Sequence, residues 1–226
     1  MGTSVWRDAL LVAGKDLRIE ARSRVATNQV APFGVLVLVL FGFALDPDRG
    51  VLERASAGLF WVAVLFAAIL AVQRSFSLES ADSAGDGLRL SGLDPAGIFL
   101  GKAAAIALQL AALEVLLAVG ILLLYNAELG GLTLVLTAAV MATIGLAAAG
   151  TMYGGVAAGL KVRETLLPLL LLPVVAPVLL AATRAWEVAM GVSVDDGWRW
   201  VQLLAVFAAV YVAVGVAAFG ALMEES

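Results

Sequence analysis

Few side chains in this sequence could do chemistry, because the chain contains neither cysteine nor histidine. Their absence excludes most zinc sites and leaves only Met and Tyr among the usual axial ligands of haem. One acidic residue, Glu114, lies deep inside an apolar stretch, with Gln109 about a turn and a half before it. A carboxyl group inside a membrane segment is costly and marks a functional site by default. We weigh that role against a protonated Glu114 that forms hydrogen bonds inside a helix bundle, and we favour the second explanation.

Motifs of common enzymes and of nucleic-acid-binding proteins are missing from the sequence. No G-x4-G-K-[ST] loop occurs, so we expect no ATP hydrolysis by this chain. Neither H-E-x-x-H nor G-x-S-x-G occurs, and no large basic, aromatic-studded surface predicts binding to nucleic acid. We therefore predict a non-enzymatic chain with no catalytic residue, no metal site and no cofactor of its own.

The composition indicates that lipid is the solvent for most of the chain. Hydrophobic residues make up 62% of the sequence and charged residues 14%, and the mean hydropathy is +1.02. Soluble domains are about 45–50% apolar and about 25% charged. We predict an all-α integral membrane protein, one membrane domain over residues 1–226 with about six transmembrane helices. The predicted spans are 27–45, 55–72, 98–125, 132–160, 165–183 and 200–223.

Before the first span, residues 4–25 predict an amphipathic helix. An apolar and a basic stripe recur at helical spacing, the first comprising Trp6, Leu10, Ala13, Leu17 and Ala21, and the second Lys15, Arg18 and Arg22. We expect this helix to lie in the cytoplasmic interface of the bilayer, with its basic side toward lipid headgroups. It is either a plain anchor or a mechanical element that connects a cytoplasmic partner to the first span.

The distribution of basic residues predicts the orientation of the chain. Four arginines fall on one side of the predicted spans, namely Arg49, Arg54, Arg184 and Arg199, and the other lysines and arginines fall on the opposite side. Because basic residues accumulate on the cytoplasmic side, both termini are predicted to be cytoplasmic.

The longest polar interruption, residues 73–97, is predicted to be cytoplasmic. It reads QRSFSLESADSAGDGLRLSGLDPAG, in which leucines alternate with charges and turn formers. Such a mixture is typical of a short helix that docks into a groove of a partner protein, although an unstructured loop explains it as well. The expected contact residues are Leu78, Glu79, Gly87, Leu88, Arg89, Leu90 and Leu93.

The fifth predicted span contains Pro168, Pro173 and Pro177. Each proline removes a backbone donor, so we predict that Pro173 and Pro177, one turn apart, kink or unwind the helix. Lipid cannot satisfy the freed carbonyl groups, so the break should face other helices or a cavity. The kink is either a moving part or a static bend.

Four stretches together carry a family resemblance: FGFALDP at 41–47, AGLFWVAVLFAAILAVQRSF at 57–76, GLDPAGIFLGK at 92–102 and LLPLLLLPVVAPVLLAAT at 166–183. They resemble the haem-exporter protein B family (CcmB), the permease of the cytochrome c maturation system. The proline pattern of the last stretch is the most specific of them. The chain departs from the family where Arg89 replaces a common Glu and where Gly42 replaces a common proline.

The resemblance implies an ABC exporter-type permease in the bacterial inner membrane. Its implied partners are a cytoplasmic ABC ATPase that binds the ATP, a second copy of the chain, a haem-handling membrane protein and a periplasmic haem chaperone. The implied function is to couple the ATPase to haem export or to release of haem-loaded chaperone, with haem handled by the partners. The alternatives are an ABC exporter permease for a lipid or drug, and a non-transporting scaffold that anchors the ATPase.

Overall fold

The computed structural model describes residues 4–23, 30–45, 49–81, 92–125, 130–158 and 163–225. All regular secondary structure within these ranges is helical, which confirms the predicted all-α class. The helices are α1 (Val5–Ser23), α2 (Ala31–Ala44), α3 (Arg49–Ala81), α4 (Pro95–Leu124), α5 (Leu132–Ala158), α6 (Arg163–Ala189) and α7 (Gly197–Glu225).

Five of these helices, α3 to α7, are long and apolar enough to cross a membrane, with apolar segments of 25 to 30 residues. In place of the first predicted span stands α2, which has 14 residues. At 1.5 Å per residue it rises about 21 Å, less than the roughly 30 Å of a hydrocarbon core. The described part of the chain therefore has five helices of spanning length and one shorter apolar helix, where the sequence predicts about six spans.

Close helix packing depends on small residues on α5 and α7. A Cβ atom added at Gly150 would lie 2.6 Å from Val72 Cγ2, and one added at Gly154 would meet the Phe76 ring. On α7, a Cβ atom at Gly215 would overlap the ring of Phe99. Small residues let helix backbones approach closely in membranes, where dispersion contacts replace the hydrophobic effect between helices. These glycines therefore pack α5 against α3, and α7 against α4.

The prolines do not unwind their helix: α6 is continuous from Arg163 to Ala189 with all three inside it. The prediction of local unwinding is therefore wrong, while a bend within a continuous helix stays a prediction. Tyr211 of α7 donates a hydrogen bond of 2.7 Å from its hydroxyl to the Val174 carbonyl, which is not one of the carbonyl groups, at residues 164, 169 and 173, that the prolines free. Pro168 and Pro177 are half-buried, but Pro173 is exposed, so its ring faces away from the described bundle.

Three aromatic rings form a buried cluster between α3 and the C-terminal end of α6. Phe60 stacks on Trp186 with ring centroids 4.1 Å apart, and Trp61 meets Trp186 edge-on at 5.5 Å. Both indole N–H groups are buried and have no acceptor among the described residues. The cluster packs α3 against α6 about 23 Å along α3 from Phe76.

Candidate functional site at the junction of α1, α3 and α4

The segment predicted to contact a partner, residues 73–97, is helical at both of its ends. α3 continues to Ala81 and α4 begins at Pro95. Leu78 and Glu79 belong to the last turns of α3, and Leu93 is half-buried against the hydrophobic core. The other predicted contacts, Gly87, Leu88, Arg89 and Leu90, lie outside the described residues.

α4 begins with a well-formed N-terminus that α1 supports. The Asp94 carboxylate accepts a hydrogen bond of 2.8 Å from the Ala96 amide, and Pro95 occupies the first turn, where its missing N–H costs nothing. On the α1 side, the fully buried Asp8 accepts a hydrogen bond of 3.0 Å from the Asp94 amide. One carboxylate of α1 is therefore bonded to the residue at which the polar segment ends and α4 starts.

Two glycines of α4 bring the backbones of α1 and α4 into contact. A Cβ atom at Gly97 would lie 2.7 Å from Asp8 Cβ, and one at Gly101 would lie 2.6 Å from the Ala9 carbonyl oxygen. The second contact is with backbone, which cannot turn aside as a flexible side chain could. The four-residue spacing places both glycines on one face of α4, and α1 packs against this face.

A buried lysine joins three helices at this junction. Lys102 of α4 is 1% exposed, and its Nζ lies 3.4 Å from Asp16 Oδ2 of α1 and 3.2 Å from Ser75 Oγ of α3. The ammonium group also lies 4.7 Å from the centroid of the Phe76 ring, within range of a cation–π interaction. Desolvating an ammonium group costs several kcal/mol unless it is paired and hydrogen-bonded. The arrangement around Lys102 meets both requirements.

A second ion pair and a further hydrogen bond connect α1 to the end of α3. Arg74 Nε lies 3.3 Å from Glu20 Oε2, and Ser75 Oγ lies 3.4 Å from Asp16 Oδ2. Arg74 is 30% exposed, so water screens this pair more than it screens Lys102 and Asp16. Through these contacts α1 is tied to both helices that flank residues 82–91.

Glu114 lies in the interior of the bundle, away from this junction. It is 7% exposed, and its Oε1 accepts a hydrogen bond of 2.6 Å from the Thr143 hydroxyl of α5. Gln109 is half-buried and makes no hydrogen bond with Glu114 in the described structure. The contact with Thr143 satisfies one carboxyl oxygen and links α4 to α5, while any role of Glu114 in transport stays a prediction.

No three acidic side chains converge in a metal-binding arrangement within the described ranges.

Comparison with known proteins identifies the family. A family model described as "CcmB protein" matches residues 7–226. The chain belongs to the CcmB family. It is similar to "Heme exporter protein B" of Paracoccus denitrificans, with 28% identity over 186 residues that cover 78% of this chain and 80% of that protein. The protein of the same name from Haemophilus influenzae is 28% identical over 188 residues, covering 83% and 85%. That from Rhodobacter capsulatus is 27% identical over 166 residues, covering 74% and 76%.

Membership of the CcmB family, together with the five long apolar helices, makes the chain a multi-pass bacterial membrane protein. The sequence resemblance to this family is thereby confirmed. Sequence reasoning did not find the four residues that centre the junction, namely Asp8, Asp16, Ser75 and Lys102. One signal was present, because Asp8, Asp16 and Glu20 recur at multiples of four residues and mark a third, acidic face of α1.

Proposed function

We propose that this chain is the permease subunit of an ABC-type haem exporter of cytochrome c maturation. Three lines support the proposal: the CcmB family match, the relatives' name "Heme exporter protein B", and five helices of membrane-spanning length. The complex would contain a cytoplasmic ATPase, a second copy of the chain, a haem-handling membrane protein and a periplasmic haem chaperone. In the bacterial inner membrane, both termini and residues 82–91 would face the cytoplasm, as the distribution of basic residues predicts.

The observation that carries the coupling role is the junction around Lys102. Residues 82–91 connect α3 to α4, and α1 is bonded to both helices through Asp16 and Glu20. A buried ion pair and a backbone contact at Gly101 resist sliding far more than exposed side-chain contacts do. A force that an ATPase applies to residues 82–91 would therefore move α1 and the adjacent ends of α3 and α4 as one unit.

The decisive experiment measures ATPase retention and cytochrome c maturation in parallel. Arg89→Glu and Leu90→Asp are expected to release the ATPase during affinity purification, while the permease stays in the membrane. Arg184→Glu is the matched control, because Arg184 is exposed and lies near the end of α6 remote from this junction. If both substitutions retain the ATPase at the wild-type level, residues 82–91 are not the docking segment and the proposed coupling route is wrong.

A second candidate function is a scaffold that couples the ATPase to haem-handling partners without carrying haem. The complete absence of His and Cys favours it, because a haem carrier normally offers an imidazole or a thiolate as an iron ligand. Haem flux into vesicles reconstituted with the complex separates the two candidates. Flux that requires this chain and ATP supports the exporter, whereas maturation without measurable flux supports the scaffold. Flux of a lipid or drug instead would favour an exporter for another substrate.

A further inference from the structure

α1 presents a surface that the junction does not use. Its buried residues, Asp8, Ala9 and Val12, face α4, while Trp6 is 73% exposed, Leu10 75% and Leu11 55%. A groove of about 390 Å³ runs along this outer surface. It is lined chiefly by Leu10, Leu11, Gly14, Lys15, Arg18 and Arg22.

One end of this groove is cationic. Arg18 and Arg22 are exposed and make no ion pair in the part of the chain that the structure describes. Lys15 differs from them, because its Nζ lies 3.1 Å from Asp16 Oδ1. Residues four apart on a helix stand about 5–6 Å from each other, so both guanidinium groups can reach one anion. A phosphate group suits them, because guanidinium presents paired N–H donors that match two phosphate oxygens.

The other end of the groove is apolar. Leu10 and Leu11 lie about two turns before Arg18, a distance of about 12 Å along the helix. Gly14 lies between them and leaves the groove open, since a Cβ atom added there would meet nothing within 4 Å. An acyl chain would cover the exposed leucines while its headgroup reached the arginines. The attachment of α1 to the membrane helix α4 favours a lipid over a soluble protein segment as the occupant.

We infer that this groove binds an anionic phospholipid, with the headgroup phosphate against Arg18 and Arg22 and an acyl chain along Leu10 and Leu11. Neither arginine forms an ion pair with a described residue, so a lipid with net negative charge is preferred over a zwitterionic one. The site therefore selects lipids by the charge of their headgroup. A helix held in the membrane only by its apolar face would not make this distinction.

The test uses the full chain purified in detergent and native mass spectrometry of the lipids that it retains. Phosphatidylglycerol and phosphatidylcholine are added at equal concentration, and retention of phosphatidylglycerol is expected to dominate. The double variant Arg18→Gln/Arg22→Gln should weaken its binding about 30-fold, since each basic residue near an anionic surface contributes a factor of about five. Leu10→Ser/Leu11→Ser should weaken binding of both lipids. The control Arg184→Gln/Arg199→Gln removes two arginines that are paired with Glu187 and Asp196, and it should change nothing.

Three results would overturn the inference. The first is equal retention of both lipids by the wild type, and the second is unchanged phosphatidylglycerol binding by the folded double arginine variant. The third is full displacement of the lipid by inorganic phosphate at matched concentration, which would make the groove a site for free phosphate. If the arginine variant keeps its lipid but loses a co-purifying protein, the groove belongs to that protein instead. Circular dichroism of each variant establishes that α1 and the bundle are folded.

Discussion

Replacing Asp16 and replacing Lys102, the buried ion pair at the junction, should lower the stability of the protein by different amounts. Asp16→Asn takes the carboxylate away from a lysine that is only 1% exposed, leaving Ser75 and the Phe76 ring beside the ammonium group. Lys102→Met removes the charge but keeps an apolar chain of similar length. Asp16 then retains Lys15 at 3.1 Å and Ser75 at 3.4 Å, and it is 10% exposed. Because Lys102 is more deeply buried than Asp16, we expect loss of the carboxylate beside the lysine to cost more than loss of the lysine itself.

The magnitude follows from the burial. Breaking a buried ion pair by removing one partner costs about 3–5 kcal/mol of stability. We expect Asp16→Asn to cost about 3 kcal/mol. Lys102→Met should cost roughly 1 kcal/mol, as for loss of a charged hydrogen bond whose partner keeps other contacts. The double variant should be more stable than Asp16→Asn alone, because it no longer buries a charge. The coupling between the two sites is then about 2 kcal/mol.

The assay is reversible unfolding of the detergent-solubilised chain by titration with a denaturing detergent, followed by circular dichroism. Arg184→Met is the matched control, because its pair with Glu187 is 2.9 Å long but the Arg184 side chain is 54% exposed. Such exposed pairs contribute at most about 1 kcal/mol and usually less. The reasoning is refuted if Lys102→Met costs more than Asp16→Asn, or if the costs of the two substitutions simply add.

Three further predictions test other parts of the structure. Gly101→Ala should destabilise the chain by about 1–3 kcal/mol, because the methyl group would meet the Ala9 carbonyl oxygen at 2.6 Å; Gly14→Ala, in open space, should be neutral or stabilising in the same assay. The chain purified apart from its partners should show no Soret band, and a stoichiometric band that survives detergent washing and is lost on replacing a Met or Tyr would contradict this. Pro173→Ala/Pro177→Ala should leave insertion and ATPase binding intact while reducing cytochrome c maturation; maturation at the wild-type level would limit both prolines to packing.

The spans can be predicted from the sequence because the apolar length of a span is a property of one helix alone. An apolar run of 20 residues in lipid has no alternative but to be helical, since its backbone groups must bond to one another. Where each helix ends is less determined: α3 continues nine residues past the predicted limit at 72, to Ala81. Helix formation tolerates polar residues such as Arg74 and Ser75 when a neighbouring helix bonds to them.

The junction could not be predicted, because its contacts lie far apart in the chain. Asp16 and Lys102 are 86 residues apart, and Asp16 and Ser75 are 59 apart. Periodicity identified an apolar and a basic face of α1 and assigned no role to its acidic residues. Local unwinding at the prolines is a wrong prediction, because each proline removes only one backbone donor and the helix continues through all three.

The cluster of Phe60, Trp61 and Trp186 provides an intrinsic tryptophan fluorescence signal for the contact between α3 and α6. Indole emission shifts to shorter wavelength in dry, unbonded surroundings, and both cluster tryptophans are 3% exposed or less with no acceptor among the described residues. Trp6 and Trp198, at 73% and 49% exposed, lie outside the cluster and would add their own emission to the signal. Replacing the tryptophans outside the cluster, namely Trp6, Trp198 and Trp200, with Phe would leave a signal from the contact of α3 with α6 alone. If the proposed ATPase drives those helices apart, water would reach the indoles and shift their emission to the red, so the timing of the motion could be followed without any attached dye.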